Sequence, residues 1–237
     1  MTKRLAIIPA RGGSKRIPLK NIRDFCGKPM IAHILDTAKT SKLFETIHVS
    51  TEDKGIRKIA CDLGYTPDFL RPDNLADDKT PIMSVLNFVT NTYAEQGTVF
   101  DEVWLLMACA PLILKKDLIK AAELFITHED DKSVLAVTEY PVPIEWAFDR
   151  SNEGSLSPLQ PGMFAKSSND LIPKFHDTGA FAIFAAHHVL SSNGAGRDDM
   201  FRGFVLPRSR SIDIDTLDDW HLAEALYTIS TNYGLVE

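Results

Sequence analysis

Apolar runs of strand length alternate with segments of helical period from the first residues of the chain onward. The predicted strands cover residues 5–9, 46–50, 103–107, 133–138 and 180–185. Helices are expected to open at Pro29 and at Thr80-Pro81, and further helices are expected near residues 117–127 and after Thr216. Another helix is marked by the apolar positions Ile56, Ile59, Ala60 and Leu63. Such alternation builds mostly parallel sheets with helices on both faces, so the sequence predicts an α/β fold with a Rossmann-like sheet.

The position of a ligand site follows from this predicted sheet. In open α/β sheets, ligands bind at the carboxyl ends of the strands. The segments that follow Pro9, Ser50, Met107 and Ile214 are therefore expected to meet around one crevice. Thr216 and Asp219 match the capping-box pattern, which predicts that the last helix begins directly after the fourth of these segments.

The regular alternation breaks between about residues 139 and 176. This stretch contains five prolines together with Trp146, Phe148 and Phe164. Tryptophan and phenylalanine are poor components of disordered chain, so we expect a small β-rich lobe there. The predicted organisation is one α/β domain, residues 1–138 and 177–237, interrupted by a dimerisation insertion at residues 139–176.

Composition and charge exclude several classes of function. The formal net charge of -6 argues against nucleic acid or an anionic membrane as the main partner, since both require a basic face. No apolar run reaches membrane-spanning length, and the N-terminus lacks the features of a signal peptide. The three cysteines form no Cys-x-x-Cys pair, so neither a disulfide framework nor structural zinc is expected. These features predict a cytoplasmic protein.

A strongly basic loop with two glycines directly follows the first predicted strand. It reads ARGGSKRIPLKN over residues 10–21 and carries the cations Arg11, Lys15, Arg16 and Lys20. Glycines let backbone amides turn toward a ligand, and clustered cations suit a polyphosphate. The loop matches neither the Walker A pattern nor G-x-G-x-x-G, which disfavours ATPases and dinucleotide oxidoreductases. A solvated basic turn is the alternative.

Two carboxylates, Asp213 and Asp215, precede the last predicted helix. At positions i and i+2 of an extended segment they point to the same side, where they repel each other unless a cation lies between them. Mg²⁺ would relieve this repulsion and could also bridge nucleotide phosphates. From these residues alone, the alternative that Asp215 merely precedes the helix stays equally open.

The motifs together resemble one known family. The signature IPARGGSK with P-x-KN, the segment Arg71-Pro72 with Leu75-Ala76 and Thr80, and DIDT with DW are similar in order and spacing to acylneuraminate cytidylyltransferases. The resemblance covers essentially the whole chain and is strongest to the pseudaminic acid branch. It implies a nucleotidyltransferase that transfers CMP from CTP to an acidic nine-carbon sugar and releases pyrophosphate.

The resemblance also implies roles for individual residues. Arg11 and Lys15 would be catalytic by stabilising charge on the phosphates, and Asp213 and Asp215 would be catalytic and hold Mg²⁺ as the cofactor. The implied nucleotide site consists of Ala10, Arg11, Gly12, Gly13, Ser14, Lys15, Lys20, Asn21, Arg71, Leu75, Ala76 and Thr80. The implied sugar site consists of Cys109, Asp177, Thr178 and Gly179.

Two segments depart from the branch that the chain otherwise resembles. Residues 176–181 read HDTGAF, and Cys109 stands where the branch usually has a threonine. Sialic acid, legionaminic acid and an eight-carbon ketodeoxy acid therefore stay open as alternative substrates. A non-catalytic nucleotide-sugar-binding module is an alternative of another class, which the carboxylate pair disfavours. The resemblance further implies a homodimer whose insertion completes the sugar pocket of the neighbouring subunit.

Overall fold

The computed structural model describes residues 2–127, 132–192 and 200–234. These residues contain ten strands and six α-helices. The strands are β1 Arg4–Pro9, β2 Asp24–Phe25, β3 Lys28–Pro29, β4 Thr46–Ser50, β5 Glu102–Leu106, β6 Ser133–Glu139, β7 Phe148–Arg150, β8 Leu156–Pro158, β9 Phe175–Ala185 and β10 Phe201–Val205. The helices are α1 Met30–Ser41, α2 Lys54–Asp62, α3 Ile82–Glu95, α4 Lys115–Thr127, α5 Ala186–Ser191 and α6 Leu217–Asn232. None of these helices is both long enough and apolar enough to cross a membrane.

Six of the strands form one sheet in the order β10-β6-β9-β5-β1-β4. β1 pairs in parallel with β4 and β5, and β10 pairs in parallel with β6. β9 runs antiparallel between β5 and β6. The predicted mostly parallel sheet is thus confirmed. The strand expected at residues 180–185 is longer than predicted and runs against its neighbours.

Alternating side chains of β1 fill two separate hydrophobic cores, one on each face of the sheet. Ala6 and Ile8 pack with residues of α1, α2 and α4, while Leu5 and Ile7 pack with residues of α3 and α5. All four side chains are fully buried. Burying one leucine or isoleucine contributes about 1.5–3 kcal/mol, so β1 is held firmly between helices on both sides.

A third apolar cluster joins the loops after β1 and β5 to the last helix. Its buried members are Ile17, Phe25, Met30, Cys109, Ile214, Trp220 and Ala223. Phe25 meets Trp220 edge-on, with ring centroids 5.3 Å apart. The predicted capping box is present at the start of α6, where the Asp219 carboxylate accepts the Thr216 N–H at 2.8 Å and the Thr216 hydroxyl accepts the Asp219 N–H. The segment before α6 is therefore anchored directly beside the loop after β1.

The stretch at residues 139–176 leaves the sheet from the paired ends of β6 and β9, where Glu139 lies opposite Phe175. It contains the antiparallel hairpin of β7 and β8 and three short 3-10 turns. Phe164 packs on Phe148 and Trp146, with ring centroids 5.3 and 6.2 Å away. The three aromatic residues singled out in the sequence thus form one small cluster.

Two buried histidines are held in their neutral form. His48 on β4 lies with Nδ1 3.0 Å from the Tyr93 hydroxyl, while its Nε2 has no hydrogen-bond partner among the described residues. Burial lowers the pKa of His48 to about 4. Burial also lowers the pKa of His33 to about 4, although its Nε2 lies 2.9 Å from the Phe25 carbonyl oxygen. A proton on either ring would place a charge in the apolar interior.

We expect the free energy of unfolding to fall as the pH is lowered from about 6.5 to about 4. In this window the unfolded chain protonates both histidines and the folded protein does not, so protons favour the unfolded state. The loss amounts to about 3 kcal/mol per histidine at pH 4. Urea unfolding at several pH values measures it. His48→Gln should make the decline shallower, whereas the exposed control His221→Gln should not. An equally steep decline in His48→Gln contradicts this account.

Candidate active site

A cavity of about 270 Å³ opens where the loops after β1 and β5 meet the segments before α3 and α6. The expected crevice at the carboxyl ends of the strands is therefore present. The predicted site residues that line it are Arg11, Ser14, Lys15, Lys20, Asn21, Arg71, Leu75, Thr80, Cys109 and Asp215. The predicted residues that do not line it are Ala10, Gly12, Gly13, Ala76, Asp177, Thr178, Gly179 and Asp213.

The glycine turn of the basic loop is fixed by Glu52 and Asp53, which follow β4. The Gly12 amide donates to the Glu52 carboxylate at 2.8 Å. A Cβ on Gly12 would lie 2.5 Å from an oxygen of Asp53, so the close approach requires glycine. The Asn21 side chain donates to the Arg11 carbonyl at 3.1 Å and closes the loop from the other side. The Gly12 amide is thus engaged within the protein, which differs from the expectation that it turns toward a ligand.

The two cations assigned to the phosphates are both paired with Asp78. Arg11 Nη1 lies 2.5 Å from Asp78 Oδ1, and Lys15 binds the other carboxylate oxygen. Hydrogen bonds from Lys15 and then from Arg11 hold the pKa of Asp78 below its usual value. All three side chains reach solvent, so these ion pairs are weak and exchangeable. The Asp78 carboxylate therefore binds both cations in the way that phosphate oxygens would.

The segment before α3 places Arg71 and Thr80 at the cavity. Arg71 is buried and donates through Nε to the Ser50 hydroxyl at 3.2 Å and through Nη2 to the Ser50 carbonyl at 2.5 Å. The Thr80 hydroxyl donates to Asp77 at 2.7 Å. The helix then begins at Ile82, one residue later than the sequence predicted. Among the described residues, Arg71 Nη1 makes no hydrogen bond, while the end of β4 binds the rest of the guanidinium.

Two cations hold the acidic segment against the basic loop. Lys20 Nζ donates to the Ile214 carbonyl at 2.6 Å and lies 3.4 Å from Asp215 Oδ1. Arg16 Nη2 lies 2.8 Å from Asp215 Oδ2. Within the described ranges, the Asp213 carboxylate makes no ion pair. Desolvation and then the negative charge of Asp215 raise the pKa of Asp213 above its usual value.

The donor set of Asp213 and Asp215 fits a magnesium ion. A cation between the carboxylates would offset the repulsion that raises the pKa of Asp213. Mg²⁺ is commonly held by one or two carboxylates together with substrate phosphates. In the part of the chain that the structure describes, no cluster of three or more His, Cys, Asp or Glu side chains is arranged to hold a metal. A Mg²⁺ ion here would therefore take its protein ligands from these two aspartates, to which phosphate oxygens could add.

The residues expected to contact a sugar lie in two different settings. Cys109 is buried at the cavity, and burial raises the pKa of its thiol. Thr178 is buried inside the sheet, and its hydroxyl donates to the Ala136 carbonyl at 2.9 Å. The Asp177 carboxylate accepts the Gly179 N–H at 2.9 Å. Gly179 has a φ of +61°, and a Cβ there would lie 3.4 Å from the Asp213 carboxylate. This segment thus borders Asp213 and not the cavity.

Three polar groups at or near the site are absent from the sequence-based prediction. Asp78 pairs with the basic loop, Glu52 accepts the Gly12 N–H, and Arg210 pairs with Asp117 in the first turn of α4. The acidic residues before Thr80 offer a signal for Asp78, because a carboxylate can pair with a basic loop. Arg210 and Asp117 are 93 positions apart, and no spacing in the sequence signals their contact.

The chain belongs to the cytidylyltransferase family, whose model matches residues 5–137. A pseudaminic acid cytidylyltransferase from Campylobacter jejuni is 37% identical over 96% of this chain and 97% of that protein. The CMP-N,N'-diacetyllegionaminic acid synthase of Legionella pneumophila is 31% identical over 95% of this chain and 97% of its own. The structure of a CMP:2-keto-3-deoxy-manno-octonic acid synthetase complexed with CTP aligns with a TM-score of 0.70 at 16% identity, covering 97% of this chain and 100% of that one. The family resemblance and the nucleotidyltransferase fold are thereby confirmed.

We expect Asp78→Asn to bind polyphosphate more tightly than the wild-type protein. The substitution removes the carboxylate that competes for Arg11 and Lys15, and exposed ion pairs of this kind correspond to about a two- to fivefold change in affinity. Calorimetry with inorganic tripolyphosphate measures the dissociation constant. Asp73→Asn, on the same segment but exposed and not paired with the loop, is the matched control. Unchanged or weaker binding by Asp78→Asn would show that Asp78 does not compete with phosphate.

Proposed function

We propose that the protein transfers CMP from CTP to the anomeric hydroxyl of pseudaminic acid and releases pyrophosphate. Membership of the cytidylyltransferase family supports the reaction class. The relative named for pseudaminic acid aligns over nearly the full length of both chains, which supports the sugar. Its 37% identity exceeds the 31% identity of the relative named for a legionaminic acid.

The observation that carries this proposal is that a basic loop and an acidic segment meet at one cavity. Arg11 and Lys15 line the cavity, and so does Asp215, which Arg16 and Lys20 hold. A triphosphate requires cations, and a metal that bridges its oxygens requires carboxylates. A protein that only binds a sugar nucleotide has no need of the second feature.

The reaction displaces pyrophosphate from the α-phosphorus of CTP. The anomeric oxygen forms a bond to that phosphorus, the bond to the β-phosphate bridging oxygen breaks, and the hydroxyl proton passes to solvent. Negative charge grows on the departing pyrophosphate, where Arg11 and Lys15 stabilise it once CTP has displaced Asp78. The contribution of these residues is thus electrostatic and requires no covalent intermediate.

We propose Mg²⁺ as the cofactor, held by Asp213 and Asp215. When bound, it would neutralise charge on the phosphate oxygens and lower the pKa of a hydroxyl in contact with it. Lys20 keeps the backbone between the two aspartates in place through the Ile214 carbonyl. Arg16 orients the Asp215 carboxylate from the solvent side.

The cytosine ring is assigned to the part of the cavity near Arg71. The Nη1 group of Arg71 can donate to the pyrimidine carbonyl, and Leu75 and Thr80 of the same chain segment also line the cavity. Ser50 holds the Arg71 guanidinium in place, so the base has to fit against a guanidinium that does not move. This arrangement favours a small pyrimidine. We place the reaction in the cytoplasm, where CTP is made and used.

We also propose a homodimer formed through the insertion at residues 139–176. Eight of the twenty exposed large hydrophobic residues among those described lie in this stretch, with Ile172 75% and Leu159 59% exposed. An apolar surface of this kind usually marks an interface. Packing of Phe164 on Phe148 and Trp146 keeps the insertion ordered before it meets a partner.

A pyrophosphate-release assay tests the proposed reaction directly. CTP is supplied with pseudaminic, legionaminic or N-acetylneuraminic acid, or with an eight-carbon ketodeoxy acid, and ATP and GTP replace CTP as controls. We expect pseudaminic acid with CTP to give a kcat/KM at least about tenfold above every other pair, which corresponds to about 1.4 kcal/mol of discrimination. A higher value for another acid would reassign the sugar, and equal use of purine triphosphates would overturn the cytosine assignment.

Asp213→Ala and Asp215→Ala should each lower kcat by about two or more orders of magnitude. Each substitution removes one of the two proposed metal ligands. Single-turnover assays over a range of Mg²⁺ concentrations measure the loss, and circular dichroism checks the fold. Asp218→Ala, an exposed aspartate at the start of α6, is the control and should keep full activity. Near-normal turnover by both variants, or full activity in excess EDTA, contradicts the metal assignment.

Ile172→Glu and Leu159→Glu should dissociate the proposed dimer. A glutamate at either position would place an unpaired charge in an apolar interface. Sedimentation equilibrium at micromolar concentration gives the mass, for which the 26.4 kDa monomer is the reference. Tyr233→Glu is the control and should leave the mass unchanged, because Tyr233 is 77% exposed directly after α6 and lies outside the insertion. A fully active wild-type monomer rules out the dimer and a pocket shared between subunits.

A further inference from the structure

We propose that Arg210 is a positioning residue, which acts through Asp117 to hold Asp213 and Asp215 where the metal of the proposed reaction binds. This inference rests on the proposed function and adds a residue pair that lies outside the cavity. Neither Arg210 nor Asp117 lines the cavity. Both therefore act on the reaction only through the chain that they hold.

The pair links two connections that meet at the site. Arg210 belongs to the short 3-10 turn Arg208–Arg210, three residues before Asp213. Asp117 lies in the first turn of α4, at the end of the loop that follows β5. Arg210 Nη1 binds Asp117 Oδ2, and the Asp117 carboxylate also accepts the Leu114 N–H at 2.9 Å. The acidic segment is thus tied to the start of α4.

Burial makes this contact different from the exposed ion pairs of the basic loop. The side chains of Arg210 and Asp117 are only 16% and 6% exposed, against 80% for Lys15. Removing one partner of a buried pair leaves the other charge unpaired in a poorly solvated place, which strongly favours rearrangement. The chain that carries Arg210 is therefore not free to move away from α4.

Asp213 depends on such an anchor because its own carboxylate makes no ion pair within the described residues. Downstream, the capping box of Thr216 and Asp219 fixes the chain, and Lys20 holds the Ile214 carbonyl in between. Upstream, Arg210 is the nearest residue with a buried ion pair to another element. Without this contact, the chain on the N-terminal side of Asp213 would lose its nearest buried ion pair. Outer groups that orient metal ligands commonly contribute a factor of 10–100 to affinity.

The test measures binding of Mn²⁺ alone, without nucleotide or sugar, by electron paramagnetic resonance of the free ion. The variants are Arg210→Gln, Asp117→Asn and the double variant. The double variant leaves no unpaired charge, so it can replace a single variant that fails to fold. Arg210→Lys keeps the charge. Arg208→Gln is the matched control, because Arg208 lies in the same turn but is exposed. Thermal unfolding of each variant is recorded in parallel.

We expect Mn²⁺ binding to weaken about tenfold in Arg210→Gln, in Asp117→Asn and equally in the double variant, since the two residues act as one unit. Arg210→Lys should retain most of the affinity, and Arg208→Gln all of it. In turnover assays the Mg²⁺ concentration for half-maximal rate should rise while the KM for CTP stays within about twofold.

Wild-type Mn²⁺ affinity in a folded Arg210→Gln or double variant would overturn the inference, even if the variant unfolds at a lower temperature. That result would give the pair a structural role alone and would leave the proposed function intact. If wild-type protein binds Mn²⁺ no better than Asp213→Ala does, the metal site itself is wrong and the inference falls with it. The two failures are thus distinguished by the Asp213→Ala comparison.

Discussion

The geometry of the site depends on the burial of Ile214, which stands between Asp213 and Asp215 in the sequence. Its side chain is fully buried beside Ile17 of the basic loop and Cys109 of the loop after β5. Burial of an isoleucine contributes about 1.5–3 kcal/mol, which makes this orientation of the segment strongly preferred. Since neighbouring side chains of extended chain point in opposite directions, Asp213 and Asp215 are turned away from the apolar cluster. One apolar residue thus sets the direction of both carboxylates.

Four cations of the basic loop are paired with carboxylates of the protein. Asp78 pairs with Arg11 and Lys15, and Asp215 pairs with Arg16 and Lys20. Without these carboxylates, the cations of one short loop would repel each other and spread the loop. Because the pairs reach solvent, the triphosphate of the proposed reaction would replace them at small cost. That exchange would release the segment that carries Asp78 and so would couple nucleotide binding to the position of this segment.

The parts of this arrangement that could be predicted are those encoded locally. Residues 5–9 are apolar at every position, and Thr216 with Asp219 forms a local cap, so both were identified correctly. The order of the sheet could not be read in this way, because the antiparallel course of β9 depends on pairing with β5 and β6. The Arg210–Asp117 contact is hidden for the same reason. The direction of the Gly12 amide depends on Glu52, a residue of the segment that follows β4.

The position of β9 explains why sugar choice is less visible in the sequence than the reaction is. The family model ends at residue 137, before the insertion and the acidic segment. β9 returns from the insertion into the sheet, and near its start Asp177 and Gly179 border the carboxylate of Asp213. A sugar whose anomeric hydroxyl approaches the proposed metal site would therefore lie beside the base of the insertion. Under the proposed function, selectivity for the acid would then depend on the segment around residues 176–181, while the basic loop would act on the nucleotide and the chemistry.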